Sequence, residues 1–324
     1  MNDLTFLIKN GLIEKADIKL FENYVGKKYK ITRIKDGLVH YVYKIVGRQQ
    51  TLYLKIRSKR FSGIPSIKTE PGLIRYEAKA LKLFSFYFPT IFPKVIAFNK
   101  KRNYLLLTDI SRGNSCFEKK LNKNWVKETD FYFLGKTIKK IHLATKNLNI
   151  SIRGKIKDER FREKQMFYLL GFLNHPQLNK IILSYRQVPK NLILGDLSPK
   201  NLYVEKDYLG ICDLEHACRG HYLFELAHLI GHGIVHTLKN SKRKKLINSL
   251  ISGYGGLNFP LLQQEILTYT AVGIVLYRLA SPVVPYNLPF TQTEKENFTS
   301  LFLRILDTRR LSLERILKIL EREI

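Results

Sequence analysis

Residues 192–215 read LILGDLSPKNLYVEKDYLGICDLE. An apolar run of strand character delivers Asp196 into a tight loop, Asn201 follows just as the next strand-like run begins, and Asp213 ends a further one. Two carboxylates and an amide, each at a strand end, can converge on one cleft although they are apart in sequence. The set suits metal-assisted phosphate chemistry, because a hydroxyl nucleophile needs a carboxylate to accept its proton and a hard divalent cation wants oxygen ligands. Phosphoryl transfer of the kinase type uses this order: an Asp, an Asn after four intervening residues, then an Asp beyond a hairpin. The same letters also spell a plain turn. Asp, Ser, Pro and Asn all favour turns, so DLSPKN alone supports an Asx-capped turn equally well.

The upstream text weighs against the plain turn. From Tyr29 to Arg57 the chain reads YKITRI, a turn at Asp36-Gly37, VHYVYKIVG, a second turn, and TLYLKIR. β-branched and aromatic residues at period two with turns between them predict an antiparallel meander. A Gly/Pro/Ser-rich loop (Ser62–Gly72) leads into a predicted helix over Leu73–Phe86, with Ile74, Ala78, Leu81 and Phe84 on one face. Lys55 lies on the strand after the Gly37 turn and Glu77 on the following helix. A lysine there can reach the α- and β-phosphates of a nucleotide, and the glutamate can hold it by an ion pair. Each alone is ordinary surface charge; their order relative to the 192–215 stretch gives them weight. The reading requires that Lys55 and Asp213 meet.

Phe92–Phe98 and Tyr104–Asp109 are again strand-like, and Ser111-Arg112-Gly113-Asn114 breaks the pattern. Beyond it, Trp125–Thr145, Lys157–Leu173 and much of Leu223–Leu320 carry helical spacing, interrupted by short strands at Leu192–Leu194, Leu202–Glu205 and Tyr208–Cys212. A small sheet-rich lobe (1–108, with a leading helical segment over 1–28) therefore precedes a larger, mainly helical lobe (109–324). Proline-rich Ser281–Pro289 predicts an irregular connection. His228, His232 and His236 recur every fourth residue, with Cys212, His216, Cys218 and His221 nearby in sequence. That spacing can bind zinc, although buried histidines on a helix more often satisfy neighbouring polar groups.

The 324 residues hold 56 Lys+Arg against 27 Asp+Glu, a net charge of +29, and are 45% hydrophobic, which excludes wholesale disorder. Three cysteines, Cys116, Cys212 and Cys218, argue against a disulfide framework and for a reducing compartment. Asp3 and Lys9 interrupt what a secretory signal would need, and the apolar run Ala271–Leu276 is far short of a membrane span of about 20 residues. A soluble, cytoplasmic protein is expected. The charge points to anionic partners; the one dense basic run is Lys239–Lys245, and no nucleic-acid module signature occurs. Nucleic acid is therefore not expected as the main partner, while an anionic membrane surface stays open.

In GDLSPKN and in ICDLEHACRGHYLFELAHLI the sequence resembles the aminoglycoside phosphotransferase and choline kinase-like enzymes, including methylthioribose kinase-like proteins. The likeness runs from about Ile31 to His236. It implies an α+β, two-lobed protein-kinase-like fold, ATP or GTP as phosphate donor, Mg²⁺, and a small-molecule hydroxyl acceptor. It further implies Asp196 as catalytic base, Asn201 and Asp213 as Mg²⁺ ligands, and Lys55 with Glu77 on the phosphates under the Gly37 turn. Leu106–Ile110, with Leu107 and Asp109, would be the adenine hinge, and the helix ending near His142 would precede the substrate region. Three departures stand out: Leu194 where the family has His before Gly-Asp, Gly220-His221-Tyr222 for Gly-Asp-Pro, and Glu225 for the Asp of Asp-Leu-Ala. From Ser241 onward twelve bases face seven acids, which disfavours a cationic acceptor and favours a neutral or anionic, sugar-like one. A nucleotide-binding scaffold without turnover, and a kinase of a protein or membrane glycolipid, are the alternatives.

Overall fold

The computed structural model describes residues 3–35, 39–154, 156–281, 286 and 288–324. Gly37, and residues 282–285 and 287 of the expected irregular connection, lie outside them. The chain forms two compact units. The first comprises Met1–Arg112 and Gly210–Glu215, the second Gly113–Leu209 and His216–Ile324.

The first unit opens with α1 (Asp3–Lys9) and α2 (Lys15–Val25) and continues through β1 (Tyr29–Ile34), β2 (Tyr41–Gly47), β3 (Thr51–Ile56), α3 (Ile74–Tyr87), β4 (Val95–Asn99) and β5 (Tyr104–Thr108). The strands form one five-stranded sheet in the order β1-β2-β3-β5-β4, every pair antiparallel. Side chains alternate across a strand, so β3 sorts its residues onto two faces. Leu52, Leu54 and Ile56 join Leu7, Ile13, Phe21, Val25, Tyr43, Ile45 and Leu106 in a closed core under α1 and α2. At roughly 1.5–3 kcal/mol for each large apolar side chain fully buried, this core outweighs any single polar contact in the unit. Tyr53, Lys55 and the following Arg57 alternate with them. The strand expected from Phe92 begins instead at Val95. Pro93 has no N–H for a ladder, and Phe92 turns inward, its ring 5.2 Å from that of Phe84.

The second unit contains α4 (Phe117–Asn122), α5 (Glu128–Thr145), α6 (Ile156–Gly171), α7 (Pro176–Ser184), β6 (Asn191–Ile193), β7 (Leu202–Glu205), β8 (Tyr208–Ile211), β9 (Cys218–Gly220), α8 (Tyr222–His236), α9 (Arg243–Tyr254), α10 (Leu261–Ala280), α11 (Gln292–Leu306) and α12 (Leu313–Glu323). The last two residues of β8 group with the first unit. β6 pairs antiparallel with β9, a partnership between three-residue strands too short to leave a periodic signal. α8 is buried from Leu223 to His236, and α10 from Ile266 to Tyr277. Among the described residues no helix is long and apolar enough to cross a membrane. α5 and α9 cross closely because each supplies a glycine at the contact. A Cβ on Gly135 would come within 2.1 Å of the Leu250 carbonyl oxygen, and one on Gly253 within 2.0 Å of that of Tyr132.

Candidate active site

In the first unit, Lys55 Nζ lies 2.8 Å from Glu77 Oε1 on α3 and 2.6 Å from Asp213 Oδ1. Residues far apart in sequence thus meet, as the reading of the sequence required. Burial alone would lower the Lys55 pKa, but Asp213 and then Glu77 more than reverse it, so the ammonium is held protonated above its ordinary range. Asp213 adopts a left-handed backbone (φ 63°), a conformation Asp tolerates better than most residues and one that recurs at functional sites.

Two residues beyond Lys55 and Asp213 stand Arg57 and Glu215, which the sequence reading passed over. Arg57 donates to Glu215 at 2.7 Å, to the Thr69 hydroxyl at 2.7 and 3.2 Å, and to the Glu70 carbonyl at 3.1 Å. Its period-two spacing from Lys55 is the signal that could have found it. His40 lies 3.7 Å from Glu215, and burial, helped by the charge of Lys55, lowers its pKa to about 3. The ligand atoms of His40, Asp213 and Glu215 fall within 4.8 Å of one another. Lys55 and Arg57 already neutralise the two carboxylates, so the group is an ion-pair network. Leu107 is buried in β5 opposite Tyr53, and Asp109 closes the end of that strand by accepting the Ser111 N–H at 2.7 Å.

In the second unit, β6 delivers Gly195 (φ 85°), where a Cβ would meet the His216 carbonyl oxygen at 2.2 Å, and then Asp196. Asp196 Oδ1 accepts the Ser198 N–H at 3.0 Å and its hydroxyl at 2.5 Å, while Oδ2 accepts from Asn201 Nδ2 at 3.2 Å. The Asx turn and the chemical motif therefore coexist in the same residues. Burial would raise the Asp196 pKa, but Lys200, His228, His216 and the Ser198 hydrogen bond outweigh it and hold the carboxyl below the usual range. Asp196 stays ionised.

The loop is braced from α8 and α5, despite Leu194. Glu225, buried on α8, accepts the Gly195 N–H at 2.6 Å and the Leu194 N–H at 3.2 Å. His142 Nε2 donates to the same carboxylate at 2.9 Å, and the Tyr254 hydroxyl lies 2.8 Å from His142 Nδ1. The Leu194 side chain goes into the core and its backbone supplies the contact. A lone glutamate in the apolar run LFELAHLI was the available signal for a buried anchor.

His228, His232 and His236 line α8 below Glu225. Burial is the first cause lowering all three pKa values, to about 3 for His228 and His236, so the rings are neutral near pH 7. Among the described residues they do not bring three metal-ligand atoms together. They meet protein groups instead: Arg278 at His232, Asn122 and Tyr286 at His236, and the Phe224 ring stacked on His228.

No family model and no curated protein matches the sequence. Solved structures do match. An amicoumacin kinase in complex with AMP-PNP, Ca²⁺ and Ami is 13% identical, with 92% of this chain and 94% of that one covered and a TM-score of 0.56. A choline/ethanolamine kinase family protein from Mesorhizobium loti is 15% identical over 98% and 99%, with a TM-score of 0.55. A microcompartment-associated aminopropanol kinase is 12% identical over 94% and 98%, also at 0.55. Aligned over nearly their whole lengths, these structures show that the chain has the two-lobed α+β kinase-like fold.

Proposed function

We propose that the chain is an ATP- or GTP-dependent phosphotransferase that moves the γ-phosphate to a hydroxyl of a small, neutral or anionic, sugar-like molecule. The observation that carries this reading is the Lys55–Glu77–Asp213 ion-pair set, assembled from three separate elements of a kinase-like fold. Lys55 would hold the nucleotide phosphates, with Gly37, Leu107 and Asp109 contributing to the nucleotide site. Three structural neighbours are kinases, one of them crystallised with a nucleotide analogue and a divalent cation.

Asp213 and Asn201 suit a hard cation such as Mg²⁺. Asp213 keeps 28% of its side chain exposed beside Lys55, and Asn201 donates its amide nitrogen to Asp196. When bound, the metal would neutralise charge on the nucleotide phosphates. Asp196 would orient the acceptor hydroxyl and take its proton as the oxygen attacks. Its depressed pKa keeps the carboxylate ionised and makes it a weak base, in keeping with a reaction in which positioning dominates.

The test is nucleotide turnover with Mg²⁺ by the purified chain, scanned against hydroxylated metabolites for ATP-dependent mass shifts and repeated with Asp196→Asn. The variant should bind nucleotide as the native chain does and lose about 100-fold or more of turnover. Equal rates in both would remove Asp196 from the chemistry and leave a nucleotide-binding scaffold.

A further inference from the structure

Arg278 is surrounded differently from Lys55, Arg57 and Lys120. It stands near the end of α10, half-buried. Its Nε donates to His232 Nε2 at 3.1 Å, and one Nη reaches the Ser198 hydroxyl at 3.4 Å. The guanidinium carbon lies over the Tyr286 ring at 4.5 Å and the Tyr277 ring at 5.4 Å. Lys55, Arg57 and Lys120 each meet a carboxylate. Among the described residues Arg278 forms no ion pair; its partners are a neutral ring, a hydroxyl and two aromatic faces.

This arrangement has a cost and an evident use. A guanidinium withdrawn from water loses hydration, which neutral partners replace only in part. The aromatic faces and His232 fix the orientation of a planar fork with five N–H donors, of which the contacts above engage two. Such a fork matches a carboxylate or phosphate bidentately. Its position matters as much as its charge. The Ser198 hydroxyl that receives the Arg278 Nη donates in turn to Asp196 Oδ1 at 2.5 Å, so one side chain separates the cation from the carboxylate. Lys200 adds positive charge on the same loop, where it helps to depress the Asp196 pKa.

Building on the phosphotransferase reading, we propose that Arg278 is the acceptor-recognition residue, and that the acceptor is a hydroxylated molecule carrying an oxyanion, carboxylate or phosphate, which Arg278 holds while Asp196 receives the hydroxyl. The neighbouring kinases named for aminopropanol and for choline or ethanolamine take a cationic group; here the arginine selects the opposite sign. His232 and Tyr286 act as positioning residues through Arg278.

The full-length chain with ATP and Mg²⁺ is offered glycerate and glycerol 3-phosphate as anionic alcohols, glycerol as the neutral one and 3-amino-1-propanol as the cationic one. Calorimetric binding of each is measured alongside turnover. An anionic alcohol should bind and react with a kcat/KM about 10-fold or more above glycerol, the equivalent of one charge-assisted contact, and 3-amino-1-propanol should be the poorest. The better of the two anions tells carboxylate from phosphate. Arg278→Met should abolish the preference through the acceptor KM, and Arg278→Lys, which keeps the charge but not the fork, should restore part of it. Cooperative melting of both variants checks that they fold. Anion binding lost in Arg278→Met, but with no acceptor phosphorylated by the native chain, would overturn the phosphotransferase reading and leave the oxyanion site standing. Failure of both anions to bind the native chain would overturn the Arg278 proposal. So would equal use of glycerol, or a fall in kcat at unchanged acceptor KM.

Discussion

Around Lys55 and around Asp196 the protein positions charged groups by two different means. In the first unit, charge meets charge: Lys55 with Glu77 of α3 and with Asp213, and Arg57 with Glu215, two residues further on along both segments. In the second unit, Asp196 has no direct ion pair among the described residues. Its loop is held through backbone N–H groups by the buried carboxylate of Glu225, and the polar residues on α8 below it are neutral histidines. Paired charges fix the side chains directly. Backbone hydrogen bonds to a buried anchor fix the path of the chain, and Ser198 and Asn201 then hold the Asp196 carboxylate. The two regions should therefore fail in different ways.

The largest effect expected is with pH. His40, His228 and His236 have folded pKa values near 3, and His232 is also lowered, against about 6.5 in the unfolded chain. Between those limits the unfolded chain binds protons that the folded chain refuses. Stability should be full above pH 6.5 and fall as the pH drops toward 3, at up to roughly 1.4 kcal/mol per pH unit for each histidine. Urea midpoints at pH 7.5, 6.5 and 5.5 measure this. Each of His40→Asn, His228→Asn and His236→Asn should flatten the curve by a similar amount, and His228→Asn with His236→Asn together by more than any one alone. A midpoint unchanged down to pH 5 would show that burial does not keep these rings neutral.

Next in size is Glu225. Replacement by Ala strands two buried N–H groups and His142, at about 1–3 kcal/mol for each group left unsatisfied. A loss of about 3 kcal/mol, with turnover falling in step, is expected. Glu225→Gln, which keeps one acceptor, should cost less than half as much. A loss below about 1 kcal/mol from the Ala variant would mean that the loop holds itself without α8.

The smallest effect belongs to the ion-paired region. Arg57→Met should cost about 2–3 kcal/mol by leaving Glu215 buried without its partner, and adding Glu215→Leu should recover most of that, because a buried pair contributes less than the penalty of breaking it. Simple additivity of the two losses would show that Arg57 and Glu215 are not energetically coupled. It would also erase the contrast drawn with the Asp196 loop.

Much of the site was legible because its parts are local. The period-two text of β2 and β3 placed Lys55, helical spacing placed Glu77, and the Asx-turn letters of 196–201 placed Asp196 and Asn201 at strand ends. Arg57 and Glu215 were legible only as neighbours of those residues. Nothing in the text paired them, since a contact between residues 57 and 215 leaves no periodic trace. The brace of the Asp196 loop comes from outside it, from Glu225 on α8, at the position where the sequence departs from the family's Asp, and from His142 on α5. α7 and the β6–β9 pair were missed because short elements carry too few residues for a period to show.

The sequence by itself determined the strand and helix periods, the order of the acidic and amide residues along the chain, and a surplus of positive charge. All of these follow from side-chain chemistry and from spacing over a few residues. Only the tertiary structure decided which charges meet an opposite charge and which meet neutral groups. Arg278 reads in sequence like any other arginine; burial among neutral rings and a hydroxyl beside Asp196 gives it a distinct environment. Compensation of charge depends on distance and desolvation, and both are set by folding.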